Sequence, residues 1–171
     1  MADALALEVL TPEQTLLAGA AHAVVLRTSE GTMTVLPGHA PFIGDVVPGE
    51  VKVEQADGEV VRLAVHGGFV QVDTSAGAAH GVDEVGDGPI SGLQTRVTVL
   101  VGVAELVSEI DVARAEASRT QSQARLEQIR SAGSRDADAA GSTVDVEAAM
   151  LESAIARADV RLKLAGAPSG S

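Results

Sequence analysis

The chain has 171 residues, 46% of them hydrophobic, which is enough to bury one domain or a small domain with an appendage. It has no Trp or Tyr and only two Phe, so its core must be built from Val, Leu, Ile and Ala. The formal charge of −12 argues against nucleic acid or anionic membranes as partners, since both need clustered Lys and Arg. The absence of Cys excludes disulfides and thiolate metal sites.

The chain shows no targeting or membrane segment. It does not open with a basic segment followed by an apolar run, which predicts that there is no signal peptide. No stretch approaches the roughly 20 apolar residues that a membrane-spanning helix needs. A soluble, cytoplasmic protein without direct membrane insertion is expected.

The charge is distributed unevenly along the chain. Residues 1–104 contain 13 acidic and 4 basic residues, whereas residues 105–171 contain 11 and 8. The basic residues are therefore concentrated in the last two-fifths of the chain, which suggests a second kind of surface there.

Residues 1–104 have the pattern of antiparallel strands. Short runs with period-two alternation are separated by Gly, Pro, Asp and Ser, and Asp57 and Gly58 form a hairpin signal between two of them. The pattern predicts a β-sandwich or barrel, with residues 75–95 as an inserted loop. The strand runs cover residues 5–9, 23–28, 32–36, 50–55, 60–65, 69–72 and 96–101.

Residues 105–165 change to a helical period. Apolar residues recur at spacings of three and four, first at 106, 110, 113 and 117, then from 144 to 165. Gly and Ser near residues 133 and 141 separate the two segments. This predicts an antiparallel two-helix hairpin at 105–165, followed by a disordered tail at 166–171. The fold class is thus β + α, a sandwich followed by a hairpin.

Several short motifs, in this order, resemble the epsilon subunits of bacterial F-type ATP synthases. The most specific are residues 36–41 (LPGHAP) and 65–72 (VHGGFVQV). The others are residues 7–13 (LEVLTPE), 30–31, 48–49, 97–100, 104–106 and 110–111. The matches extend over nearly all of residues 5–165. The departure is the segment 75–95, where the family needs only a short turn.

The resemblance implies a non-catalytic subunit of the rotor's central stalk. Such a subunit couples the catalytic head (alpha and beta subunits) and the gamma subunit to the c-ring in proton-driven ATP synthesis. Its C-terminal helices inhibit ATP hydrolysis when they extend along gamma and the head. Arginines of the helical half would then face acidic elements of the head: Arg114, Arg119, Arg125, Arg130 and Arg135. The protein would lie peripherally at the cytoplasmic face of the cell membrane.

Two groups of residues are candidate interfaces under this resemblance. A stiff loop and a nearby turn would contact the c-ring: Glu30, Pro37, Gly38, His39 and Pro41. A glycine-paired strand would contact gamma: Gly67, Gly68 and Phe69. The alternatives are a purely structural loop in the first case and a bulge or close backbone approach in the second.

A third group resembles the motif with which some bacterial epsilon subunits bind ATP as a regulatory ligand. Its candidates are Glu105, Asp111, Arg114, Arg157 and Arg161. Arginines at i and i+4 share a helix face and can grip a phosphate. The alternative is structural: Ser108 and Asp111 would form a capping box, and the arginines a solvated face. Glu116 stands where ATP-binding relatives tend to carry Lys. Apart from this possible ATP, no cofactor is expected.

The sequence offers no catalytic or metal-binding pattern. The four histidines, His22, His39, His66 and His80, have no helical i, i+4 spacing and no Cys beside them. There is no nucleophile elbow and no phosphate-binding loop. A stand-alone adaptor presenting the hairpin to another complex is the alternative from a different class, and an enzyme ranks behind it.

Overall fold

A computed structural model describes residues 4–74, 94–133 and 141–166. The chain divides into two compact units, Met1–Leu106 and Val107–Ser171. This division lies two residues beyond the expected boundary at residue 104. The predicted helix connection, most of the 75–95 insertion and most of the 166–171 tail lie outside the described residues.

The first unit contains nine described strands. Their bounds are β1 Leu5–Leu10, β2 Thr15–Thr28, β3 Gly31–Val35, β4 Phe42–Val46, β5 Gly49–Gln55, β6 Val60–Val65, β7 Gly68–Thr74, β8 Thr95–Val101 and β9 Ala104–Leu106. All pairings are antiparallel except that of β1 with β8.

The long strand β2 joins the two layers of a sandwich. Its first half pairs with β1, and β8, β7 and β4 follow in that order. Its second half pairs with β3 and β5, and β6 and β9 continue from β5. The register of β2 on β5 shifts between Ala21 and Ala23, where the strand passes from one layer to the other. The predicted sandwich is confirmed.

The core lies between these layers and consists of aliphatic side chains. Seventeen buried residues form one cluster, and most of them are Val or Leu: Leu5, Leu7, Val9, Ala21, Val24, Leu26, Val35, Val46, Val51, Val53, Leu63, Val65, Val70, Val72, Val97, Val99 and Val101. Branched side chains alternate along each strand, so one face of the strand packs inward. Phe42 packs against the cluster from its margin.

Two strands, β4 and β9, were not predicted from the sequence. In β4, Gly44 stands two residues after Phe42, and an added Cβ at Gly44 would lie 2.6 Å from the Phe42 ring. Pro41 and this glycine hide the strand pattern because both residues usually mark loops. In β9, Leu106 was assigned to the helical period, but it pairs with Leu63 of β6. The β unit therefore includes Glu105 and Leu106.

The second unit contains a 3₁₀ turn, Val107–Glu109, and two helices, α1 Val112–Gly133 and α2 Gly141–Ala165. Ion pairs join Arg119, early in α1, to Asp159, late in α2, and Arg130, late in α1, to Glu152. The helices therefore run antiparallel, as a hairpin. In the part of the chain that the structure describes, neither helix has the length and apolarity needed to cross a bilayer.

The buried stripe of α1 differs from the predicted one. Ala113 and Ala117 are exposed, and the buried residues are Ala115, Ser122 and Leu126. The prediction failed because serine, which counts as polar in a periodicity analysis, occupies the packed face. On α2, the predicted stripe is buried at Ala158 and half-buried at Val144, Ala148, Leu151, Ile155, Leu162 and Ala165, but Leu164, which was not predicted, is also buried.

Candidate functional site

Residues 36–41 form a rigid loop between β3 and β4. The backbone N–H of His39 donates to the carbonyl of Leu36 at 3.0 Å, closing a turn with Pro37 and Gly38 at its centre. Gly38 has a φ of +82°, which a type II turn requires at its third position and which glycine tolerates best. Pro37 fixes the preceding φ, so the turn is constrained at both central residues.

Thr95 anchors this loop to the sandwich. The N–H of Gly38 donates to Thr95 Oγ1 at 2.7 Å across 57 residues of sequence. Thr95 is only 2% exposed and begins β8. Nothing in the local sequence around Thr95 distinguishes it, because its partner is remote along the chain. The loop thus presents His39 from a fixed base, while the His39 ring contacts the Ala40 carbonyl at 2.7 Å.

Glu30 lies at the exposed tip of the tight turn between β2 and β3. The Thr28 hydroxyl donates to the Gly31 carbonyl at 3.1 Å across this turn. The Ser29 hydroxyl donates to Asp45 Oδ1 at 2.7 Å and ties the turn to β4. The Glu30 carboxylate is therefore held out toward solvent on a braced turn.

The structure separates the candidate c-ring residues into two places. Glu30 precedes β3, whereas residues 37–41 follow it, so the two groups lie at opposite ends of that strand. Five residues of strand span about 13 Å between their first and last Cα atoms. Thr34 of β3 is exposed between the two groups. One partner can contact both groups only if β3 lies along the interface.

Of the pair Gly67 and Gly68, Gly68 makes the close approach that the sequence suggested. Both have positive φ, +95° and +156°. A side chain at Gly68 would collide with the Leu100 carbonyl on the adjacent strand β8. Gly68 thus has a structural role, because only glycine lets β7 start this close to β8.

Phe69 belongs to an exposed apolar patch. Its side chain is 62% exposed and pairs across the strands with Leu100, which is 47% exposed. Ile43, on the other neighbouring strand, is 73% exposed and stands diagonally to Phe69, whose direct partner there is Asp45. Ile43, Phe69 and Leu100 form what we call the sheet patch. Of these three residues, only Phe69 was predicted from the sequence, because Ile43 lies on β4, which was not predicted as a strand.

Glu105, one of the candidate ATP ligands, belongs to the sandwich unit. It lies on β9, and its carboxylate is 3.8 Å from Nε2 of His66. The His66 side chain is only 2% exposed and that of Glu105 is 24% exposed. The N–H of His66 also donates to the Val103 carbonyl at 3.1 Å. Glu105 thus has a structural contact at the end of the sandwich unit.

Asp111 caps α1. Its Oδ1 accepts the backbone N–H of Arg114 at 2.9 Å, and α1 begins at Val112. Asp111 is therefore the N-cap residue. The predicted capping box is wrong in register, since Ser108 lies in the 3₁₀ turn before the helix. The Arg114 side chain is exposed in the first turn of α1.

Arg157 and Arg161 lie in the second half of α2. Nη1 of Arg157 donates to the Ser153 hydroxyl one turn earlier, at 2.6 Å, and both arginines are half-buried. In an antiparallel hairpin this part of α2 faces the start of α1, so Asp111, Arg114 and the two arginines share one end of the hairpin. A shallow groove of about 480 Å³ follows α2, lined by Val146, Ala149, Met150, Ser153 and Arg157.

Ion pairs flank the hairpin on both sides of its buried stripe. The N···O distances are 2.9 Å for Arg119 with Asp159, 2.8 Å for Arg125 with Glu147 and 3.0 Å for Arg130 with Glu152. Three of the five arginines that the resemblance directs at an acidic partner are thus engaged by α2. Arg135 lies outside the described residues.

Among the described residues, no group of His, Asp and Glu side chains could hold a metal ion. Of the four histidines, His80 lies outside those residues. His39 belongs to the loop before β4, and His66 is buried beside Glu105.

Comparisons with known proteins agree with this architecture. Residues 4–76 match the family "ATP synthase, Delta/Epsilon chain, beta-sandwich domain". The ATP synthase epsilon chain of Symbiobacterium thermophilum is 36% identical over 98% of this chain and 96% of its own length. That of Streptomyces griseus is 34% identical over 95% and 96%.

A solved structure shares the fold. A chain in the mitochondrial ATP synthase of Euglena gracilis, solved with OSCP, F1 and the c-ring, aligns with a TM-score of 0.60 and 19% identity. The alignment covers 90% of this chain and 76% of that one. With relatives matched over nearly their whole length and both units present, the chain belongs to the ATP synthase epsilon chains, which are non-catalytic subunits of that complex.

Proposed function

We propose that this chain is the rotor subunit that joins gamma and the catalytic head to the c-ring, and that its helical unit restrains ATP hydrolysis. It acts at the cytoplasmic face of the membrane as a peripheral component of proton-driven ATP synthesis. Family membership supports the first part. The observation that carries the second is the division into a well-packed sandwich and a separate, weakly apolar hairpin.

The c-ring contact uses the two ends of β3. The braced turn with Glu30 and the anchored loop with His39 are both rigid, as torque transmission requires. A standard interface of about 800 Å² per partner is roughly 28 Å across, so it can include both ends of a strand about 13 Å long. The proposal therefore requires β3, with its exposed Thr32 and Thr34, to lie along the ring.

The gamma contact uses the sheet patch. Exposed apolar side chains that adjoin one another are typical of protein-binding surfaces, and aromatic residues are enriched there. Ile43, Phe69 and Leu100 lie on three adjacent strands, and a bound partner would cover them together. Gly68 holds these strands close at the edge of the patch.

Site-specific crosslinking in the assembled enzyme tests both contacts. The chain has no Cys, so single Cys introduced at Glu30, His39 or Phe69 are unique labelling sites. We expect Glu30→Cys and His39→Cys to crosslink to c subunits and Phe69→Cys to gamma. A control at Asp57, an exposed hairpin tip, should crosslink to neither. Failure of all three positions would favour the adaptor hypothesis.

Regulatory ATP binding remains a separate proposal. Its candidate ligands lie in both units, and Glu105, Asp111 and Arg157 already have structural contacts. Binding predicts that ATP at 100 times its Kd stabilises the chain by about 2.7 kcal/mol, and that Arg161→Ala removes the effect. An unchanged melting temperature in excess ATP would leave capping and packing as the roles of these residues.

A further inference from the structure

The arginines of α1 lie on both flanks of its buried stripe. Arg119 and Arg130 are eleven residues apart, which is about three helical turns, so they share one flank. Arg125 is six residues from Arg119 and lies on the other flank. Each guanidinium is within 3.0 Å of one carboxylate of α2: Arg119 with Asp159, Arg125 with Glu147 and Arg130 with Glu152.

The apolar contact between these flanks is small. On α1, the buried residues among those described are Ala115, Ser122 and Leu126. Two of the three have small side chains and one of these is polar, so they contribute little hydrophobic free energy. The flanking ion pairs therefore act beside this limited apolar contact and the half-buried aliphatic side chains of α2 in holding the hairpin closed.

We propose that Glu147, Glu152 and Asp159 of α2 mask the arginine surface of α1 by imitating the acidic partner of that surface. This inference rests on the proposed braking role of the helical unit. In the closed hairpin the arginines are occupied, so the arm does not engage the catalytic head. On opening, each arginine exchanges an internal carboxylate for an external one.

The exposure of the pairs makes this exchange possible. The arginine side chains are 45–62% exposed and their carboxylate partners 44–58% exposed. Such pairs are individually weak and are screened by salt, so a partner's carboxylates can displace them. A buried ion pair would resist exchange, because opening it would leave an uncompensated charge.

Masking predicts that removing the carboxylates and removing the arginines of the same ion pairs have opposite effects on the inhibition of ATP hydrolysis. Adding full-length chain to a catalytic head stripped of this subunit, we measure the concentration that halves ATP hydrolysis. Glu147→Gln, Glu152→Gln and Asp159→Asn together should lower it about five- to tenfold, since three weak pairs no longer hold the closed state. Arg119→Gln, Arg125→Gln and Arg130→Gln together should abolish inhibition, although they break the same pairs.

A matched control separates masking from net charge. Glu109→Gln, Glu116→Gln and Asp145→Asn remove an equal number of negative charges, three, from residues outside the three ion pairs. This variant should inhibit at the wild-type concentration. If the carboxylate variant inhibits no better than this control, or inhibits less than the wild type, the masking proposal is wrong.

A measurement on the free chain keeps masking distinguishable from braking. Spin labels at Gln123→Cys and Ala156→Cys, both exposed, report the distance between the helices. We expect a narrow distribution in low salt that broadens in 1 M NaCl and in the carboxylate variant, but not in the charge control. Broadening without any inhibition of the head would overturn the braking role and, with it, the masking proposal. If neither salt nor the carboxylate variant changes the distance distribution, the masking proposal is wrong, whereas the braking role is unaffected.

Discussion

The sandwich and the hairpin differ most in what their interiors contain. The sandwich buries a cluster of seventeen aliphatic residues, eleven of them fully at 0% exposure. Among the described residues of the hairpin, the buried ones are Ala115, Ser122, Leu126, Ala158 and Leu164. One unit is thus held by extensive apolar packing, and the other by a much smaller set of buried side chains together with exposed ion pairs.

The difference suggests a division of labour between the two units. A platform that transmits torque needs one arrangement, and dense packing of branched side chains provides it because cores do not deform continuously. An arm that changes state needs two arrangements of similar free energy, and weak contacts allow this.

Truncation of a core side chain should affect only the sandwich. Leu63 is fully buried, and Leu63→Ala should cost about 2–5 kcal/mol of unfolding free energy through lost burial and a cavity. Leu126→Ala, in the hairpin, should leave the protection of sandwich amides from hydrogen exchange unchanged. Equal loss of protection in both units from either substitution would show that they unfold as one body.

The close approach at Gly68 should tolerate no side chain. Gly68→Ala forces a residue into positive φ against the Leu100 carbonyl, and we expect a loss of about 2–4 kcal/mol. Gly19→Ala is the matched control, because a Cβ added at Gly19 would meet nothing within 4 Å and the φ of Gly19 is not positive. Thermal unfolding measures both, and a control cost as large as that of Gly68→Ala would refute the steric account.

The hydrogen bond from Gly38 to Thr95, which anchors the His39 loop, should contribute less to the free energy of unfolding. Thr95→Val removes the acceptor for the Gly38 N–H and should cost about 1 kcal/mol, while Thr95→Ser restores it. Hydrogen exchange at the Gly38 amide reports the anchor directly. The exchange rate should rise in Thr95→Val and return in Thr95→Ser. An unchanged rate in Thr95→Val would show that the hydroxyl does not hold the loop.

The cap of α1 should have a similarly small effect and act on the hairpin alone. Asp111→Ala removes the acceptor for the Arg114 N–H and should cost about 1 kcal/mol, whereas Asp111→Asn should preserve most of the cap. Helix content near the hairpin's melting temperature reports the change by circular dichroism. If Asp111→Asn destabilised the hairpin as much as Asp111→Ala, the charge of Asp111, and not its capping geometry, would be what matters.

Most of the sandwich could be predicted from the sequence because its strands alternate with period two and end at Gly, Pro or Asp. The exceptions have physical reasons. Strand β4 contains Gly44 to accommodate Phe42, and the three-residue strand β9 is too short to show a period. The α1 stripe was misplaced because Ser122 occupies a packed position.

The candidate sites were less predictable, since their contacts join residues that are remote in sequence. Motifs indicated Glu30, His39 and Phe69, and the predicted strand at 32–36 already separates Glu30 from His39, but the neighbours of Phe69 in the sheet patch needed the structure. Thr95 and the partners of the α1 arginines carry no local signal. Asp111 shows the converse: two roles were open from the sequence, and the capping role is observed, at a register one turn from the expected one.

The most direct test of the division of labour is the hydrolysis rate of a catalytic head stripped of this subunit. Full-length chain is compared with a version ending at Leu106, which retains β9 and hence the whole sandwich unit. We predict that both versions bind gamma with similar affinity and that only the full-length chain slows hydrolysis. Equal inhibition by the two versions would contradict the account, because the brake would then lie in the platform.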